Sequence, residues 1–108
     1  METRTAIRTC AGRLQHIPDI GAFDVELHLQ GEGGGTFTVT SSAEGISVDE
    51  RSLGRGAKLQ VVGDARRFIA VLDGRKSMRH MLYTGAFTVR GDTQLSMRLA
   101  RALGLLAT

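Results

Sequence analysis

The sequence predicts an α+β fold of two layers: a five-stranded, largely antiparallel sheet with helices covering one face. Three observations carry this. Five short segments alternate apolar and polar residues with a period of two. None of them is a continuous Val/Ile run, as a parallel sheet buried on both faces would require. The segments between and around them carry apolar side chains at helical spacing and begin or end at capping residues.

The elements follow in order. Residues 3–17 place Ile7, Cys10 or Ala11, Leu14 and Ile17 on one helical stripe, and Pro18 ends it because proline cannot continue a helix interior. Phe23, Val25, Leu27 and Leu29 then share one strand parity, with Asp24, Glu26, His28 and Gln30 on the other, toward water. Gly31–Gly35 is a glycine-rich hairpin, and Thr36–Thr40 returns with Phe37 and Val39 inward. Ile46 and Val48 face inward from a third strand, and Ala57, Leu59 and Val61 from a fourth. Asp64 is a helix N-cap, followed by a stripe of Ala65, Phe68, Ile69 and Leu72 closed at Gly74. Met78, Met81 and Leu82 form a short second stripe. Ala86–Arg90 is the fifth strand. Asp92 caps a last helix whose Leu95, Leu99, Ala102, Leu103 and Leu106 span about 100° of arc. The whole chain, 1–108, reads as one domain: 1–20 a helix and linker, 21–108 the sheet and its covering helices.

Charge and composition bound the function. Twelve Arg and two Lys stand against eleven acids, a formal charge of +3. That balance suits a solvated surface, with attraction to an acidic partner, a phosphate group or an anionic membrane surface as the sharper reading. At most peripheral membrane contact is expected, because no apolar run approaches the roughly 18 residues that span a bilayer. The five aromatics lie mostly on inward parities and form no stacking platform, so nucleic acid is not an expected partner. The first residues lack the apolar core of a signal peptide, and a lone Cys10 allows no internal disulfide. Both point to the cytoplasm.

No pattern nominates catalysis. The GEGGGT stretch lacks the Lys and the following helix of a phosphate loop. Arg90-Gly91-Asp92 spells an adhesion tripeptide, but its Asp is needed as a cap. His16, His28 and His80 are dispersed, and no metal-ligand pair exists. Ser41 and Ser42 lack a nucleophile elbow. The expectation is no enzyme, no metal and no cofactor. The apolar side chains remain: Met78 and Met81 lie between helices carrying Phe68, Leu72, Leu99 and Leu103, and methionines adapt to irregular apolar ligands. The pattern alone favours an ordinary closed core over a ligand cavity.

The stretch LDGRKSMRHMLYTGAFTVRGDTQLSMRLARAL, residues 72–103, resembles the signature end of the sterol-carrier-protein type-2 family. Leu72, Gly74, Met78, Gly85, Phe87, Val89, Gly91, Asp92, Leu95, Ser96, Met97 and Leu99 occur in the family's order. GEGGGTFTVTSSAEGISV resembles its glycine-marked hairpin and third strand, so the similarity covers about residues 23 to 106. The resemblance implies an elongated apolar tunnel between sheet and helices, holding a fatty acid, acyl-CoA, sterol or quinone-like lipid. The residues expected to line it are Phe37, Val39, Phe68, Leu72, Met78, Met81, Leu82, Leu99 and Leu103, with Arg75 and Arg79 as candidates for a head group. The alternative is an accessory module, docked on an enzyme of quinone or lipid metabolism or forming a homodimer, with no usable cavity.

Overall fold

The computed structural model describes residues 3–14, 22–52 and 57–104. Its elements are α1 (Thr3–Leu14), β1 (Phe23–Gln30), β2 (Gly35–Ser42), β3 (Gly45–Asp49), β4 (Leu59–Asp64), α2 (Ala65–Leu72), α3 (Met78–Tyr83), β5 (Phe87–Gly91) and α4 (Thr93–Ala102). This is the predicted order. Ile17, Pro18, Leu105 and Leu106 lie outside the described residues.

The five strands form one sheet in the order β3-β2-β1-β4-β5. Three neighbouring pairs are antiparallel and one, β1 with β4, is parallel. Glycine at positive φ turns the β1–β2 hairpin, at Gly31 and Gly33, where a side chain would be strained. Asp64, Ser77 and Asp92 cap α2, α3 and α4, each side chain accepting from a backbone N–H three residues on. Beyond α2, the N–H of Arg75 donates to the carbonyl of Ala70 at 2.8 Å, closing the helix end at Gly74.

The parallel pair has a topological cause. The β1–β2–β3 meander walks to one edge, so the chain must recross β2 and β1 to lay down β4. Helices occupy one face, and the described ends of the return, at Arg51, Ser52 and Lys58, lie against the other. Thr38 Oγ1 donates to the carbonyl of Arg51 at 2.8 Å, Ser52 Oγ donates to Glu26 Oε2 at 3.0 Å, and the N–H of Lys58 donates to Asp24 Oδ1 at 2.9 Å. The face expected to lie in water is therefore roofed at its centre. Thr38 is 2% exposed and Glu26 7%. A period of two assigns side chains to faces but does not say what covers a face. Thr38→Val is expected to leave the Arg51 carbonyl without its donor and to lower stability by about 1–2 kcal/mol, read by urea unfolding.

On the other face the core follows the predicted parity. Phe23, Val25, Leu27, Leu29, Phe37, Val39, Leu59, Val61 and Phe87 rise from the sheet to meet Ile7, Ala11 and Leu14 of α1, Phe68 of α2, and Leu95 and Leu99 of α4. The α2 stripe is rotated from expectation. Val71 is its most buried large residue at 1%, while Ile69 is only half-buried. The reason is α1, which lies against α2 as well as β3 and so extends the arc that α2 buries.

Candidate functional site: an apolar cavity between the layers

Between the sheet and the helices lies a cavity of about 90 Å³. Its wall is built from four sources: Ile7, Cys10, Ala11 and Leu14 of α1; Phe23, Val25 and Leu27 of β1 with Val39 of β2; Phe68 and Leu72 of α2; and Leu99 and Leu103 at the far end of α4. Ile7, Cys10, Ala11 and Leu14 are related by steps of three and four, which places them on one face of α1. Among the described residues no charged side chain lines the cavity, and the one side-chain heteroatom there is the Cys10 sulfur.

At one end, polar groups gather. Arg13, in the last turn of α1, donates from Nη2 to the carbonyl of Leu103, the C-cap of α4, at 3.4 Å. Burial pushes the Cys10 thiol above its ordinary pKa. The charge of Arg13 and a hydrogen bond from it pull the other way, and the carboxylate of Asp73 adds to the rise. The ends of α1, α2 and α4 thus come together at this point, with Arg13 among them. Cys10 is expected to react slowly with iodoacetamide at neutral pH and faster as pH rises, because only the thiolate attacks. Mass spectrometry of the alkylated protein checks this, and a rate independent of pH across the alkaline range would contradict it.

Of the nine residues expected to line a tunnel, the structure places Val39, Phe68, Leu72, Leu99 and Leu103 around this cavity. Phe37 is buried beside a separate depression of about 380 Å³, together with Thr3 and Ile69. Two exposed ion pairs, Arg4–Glu50 and Arg66–Glu32, each 2.6 Å, belong to the same depression. Met81 is buried in the core and Met78 half-buried against it, neither on the cavity wall. Leu82 is 39% exposed and does not face the cavity. Arg75 is paired with Asp73 at 3.2 Å, and Arg79 is exposed on α3. The wall residues not nominated from sequence are those of α1 and β1. Their inward parity was readable, but parity does not distinguish an inward residue that touches its neighbours from one that borders space.

Among the described residues no group of three or more His, Cys, Asp or Glu side chains could hold a metal, and no helix is long and apolar enough to cross a membrane. The site is thus a partly open apolar cavity between sheet and helices. The chain belongs to the SCP-2 sterol transfer family, whose model matches residues 10–104. Among solved structures it is similar to palmitated SCP2L2 from Aedes aegypti, with 17% identity, TM-score 0.74 and 95% of each chain covered. It is similar also to the UbiJ-SCP2 ubiquinone synthesis protein, with 18% identity, TM-score 0.59, and 93% and 79% covered. A third likeness is to the stereoselective inverting sec-alkylsulfatase Pisa1 from Pseudomonas sp., with 13% identity and TM-score 0.62; there 94% of this chain corresponds to 14% of that one. At these identities the likeness is one of fold. A comparison with curated proteins finds no match.

Proposed function

We propose that this domain is a non-catalytic carrier that holds the chain of a fatty acid, or of a related acyl-CoA, sterol or quinone-like lipid, between its sheet and helices. The observation that carries the reading is the cavity wall, whose twelve described residues include no charged side chain. The description of a structural neighbour as palmitated supports the acyl class. Arg13 suits a carboxylate head at the rim. Its present hydrogen bond, at 3.4 Å to a backbone carbonyl, is long. A charge-assisted bond to a carboxylate would be shorter and about twice as strong. Arg13 thereby takes the head-group role ahead of Arg75, which Asp73 already engages.

Size sets a condition. The cavity of about 90 Å³ has room for the end of an acyl chain and not for sixteen carbons. Uptake of a whole chain therefore requires the cavity to widen. Burying about 15 methylenes yields roughly 12 kcal/mol, against roughly 4–15 kcal/mol for lost freedom on binding. The work of widening the cavity thus decides the affinity. The lone reduced Cys10 suits a cytoplasmic setting.

A second reading, an accessory module without a usable cavity, is favoured by that small volume and by the likeness to a ubiquinone synthesis protein. Native mass spectrometry of the purified protein, then denaturing extraction, separates the two. A co-purified lipid lost on Arg13→Ala supports the carrier. A clean apo mass, unchanged by added fatty acid, acyl-CoA, sterol and quinone, supports the accessory module.

A further inference from the structure

We propose that the exposed face formed by the α2–α3 connection and α3, residues 75–83, docks on an anionic lipid bilayer. The proposal is independent of what the cavity holds.

The face has two components that folding left in water. Tyr83 is 92% exposed and Leu82 39%, and with Met97 they are the large hydrophobic residues exposed among those described. The pair is adjacent in the chain. Met81 is buried in the core and fixes the rotation of α3, so Arg79 and Tyr83 point away from the core, with His80 and Leu82 exposed on the flanks. Around the pair stand Arg75, Lys76 and Arg79, all exposed. Asp73 is the lone acid between residues 65 and 91, and it engages Arg75.

The wider charge distribution points the same way. Residues 65–108 hold eight Arg and Lys against two acids, a net +6, while residues 1–64 hold six against nine, a net −3. The later part of the sequence, which carries the apolar pair, is thus basic, although not all of its cations belong to this face: Arg66 pairs with Glu32. Tyr at a surface, with its ring in the headgroup layer and its hydroxyl in water, is a membrane-interface residue. Long basic side chains beside it meet anionic headgroups while their stems lie along apolar surface. This face also begins next to the cavity wall, since Leu72 lines the cavity and the connection follows directly from it. A bilayer on this face would lie beside the helices that bound the cavity.

The test is co-sedimentation of the full chain with vesicles of phosphatidylcholine alone and of phosphatidylcholine mixed with phosphatidylglycerol. Binding is expected to the mixed vesicles, to fall as salt is raised, and to be weak on phosphatidylcholine alone. Lys76→Glu with Arg79→Glu is expected to lower the partition at least 25-fold, at about fivefold for each cation lost near the surface. Leu82→Ser with Tyr83→Ser lowers it several-fold and leaves the salt dependence in place. Arg51→Glu with Lys58→Glu makes the same charge change on the opposite, roofed face of the sheet and is expected to retain most of the binding. Thermal melts confirm that each variant is folded. No sedimentation of the wild type with mixed vesicles overturns the proposal. So does an equal loss in the Arg51/Lys58 control, which would reduce the effect to net charge. Binding by Lys76/Arg79 and Leu82/Tyr83 variants at the wild-type level overturns it too. Vesicle binding is scored without reference to co-purified lipid, so failure here leaves the carrier reading standing, and failure of that reading leaves this one standing.

Discussion

Leu99→Trp is expected to empty the domain of ligand while leaving it folded, whereas Leu95→Trp, one turn earlier on the same helix, is expected to unfold it. Both leucines are buried, at 9% and 1% exposure, and both face the sheet. Leu99 borders the cavity and Leu95 does not. An indole at position 99 enters about 90 Å³ of existing space. Its N–H finds no acceptor on an apolar wall, a cost of about 1–3 kcal/mol, partly offset by the added apolar burial. The net change in stability should stay within about 2 kcal/mol. At position 95 the same atoms meet side chains already in contact, and overpacking there costs about 3 kcal/mol or more. Thermal melts and titration with a fluorescent fatty acid measure both. The expected pattern is a folded 99 variant with ligand affinity down by at least about 100-fold, or about 2.7 kcal/mol. Equal unfolding of the two variants would mean that α4 borders no usable space, and the carrier reading would fail with it.

The contrast between these leucines shows what was legible in the sequence. The strand periods, the caps at Asp64 and Asp92 and the order of elements are local properties, written within a few residues, and they held in the structure. What depends on distant segments was not legible. The roof over Thr38 and Glu26 comes from a return crossover whose path is set by where β4 pairs. Arg13 acquires its place at the rim because α1 meets the carbonyl of Leu103, 90 residues away. Leu82 was read inward with Met81, yet neighbouring residues on a helix are about 100° apart, and a helix of six residues buries a narrow arc. Phe37 and Val39 share an inward parity but border different spaces. Periodicity therefore gave the list of inward residues, and the packing of α1 onto that list decided which of them enclose a cavity.

A single glycine ties the sheet to that cavity. Gly63 of β4 lies opposite Phe87 of β5, on the inward parity, and a Cβ built there would stand 2.0 Å from Phe87 Cδ1. The ring lies over the glycine because nothing else occupies that space. Phe87, 2% exposed, meets Phe68 edge-to-face, with centroids 6.1 Å apart and planes at 62°. Phe68 is itself part of the cavity wall. Gly63→Ala is therefore expected to displace Phe87, drive Phe68 toward the cavity and lower both stability and ligand affinity. The stability loss should reach about 3 kcal/mol or more, at the upper end of overpacking costs. Phe87→Leu alone removes the edge-to-face pair and leaves space, at a cost of about 1–3 kcal/mol. If the ring is what the new methyl strikes, the double variant is less destabilised than the sum of the singles, by at least about 1 kcal/mol. Urea unfolding of all four proteins gives that coupling directly. Additive losses would show that the alanine is accommodated by a shift of β4 against β5 instead, and ligand affinity in Gly63→Ala would then be unchanged, because Phe68 would not have moved.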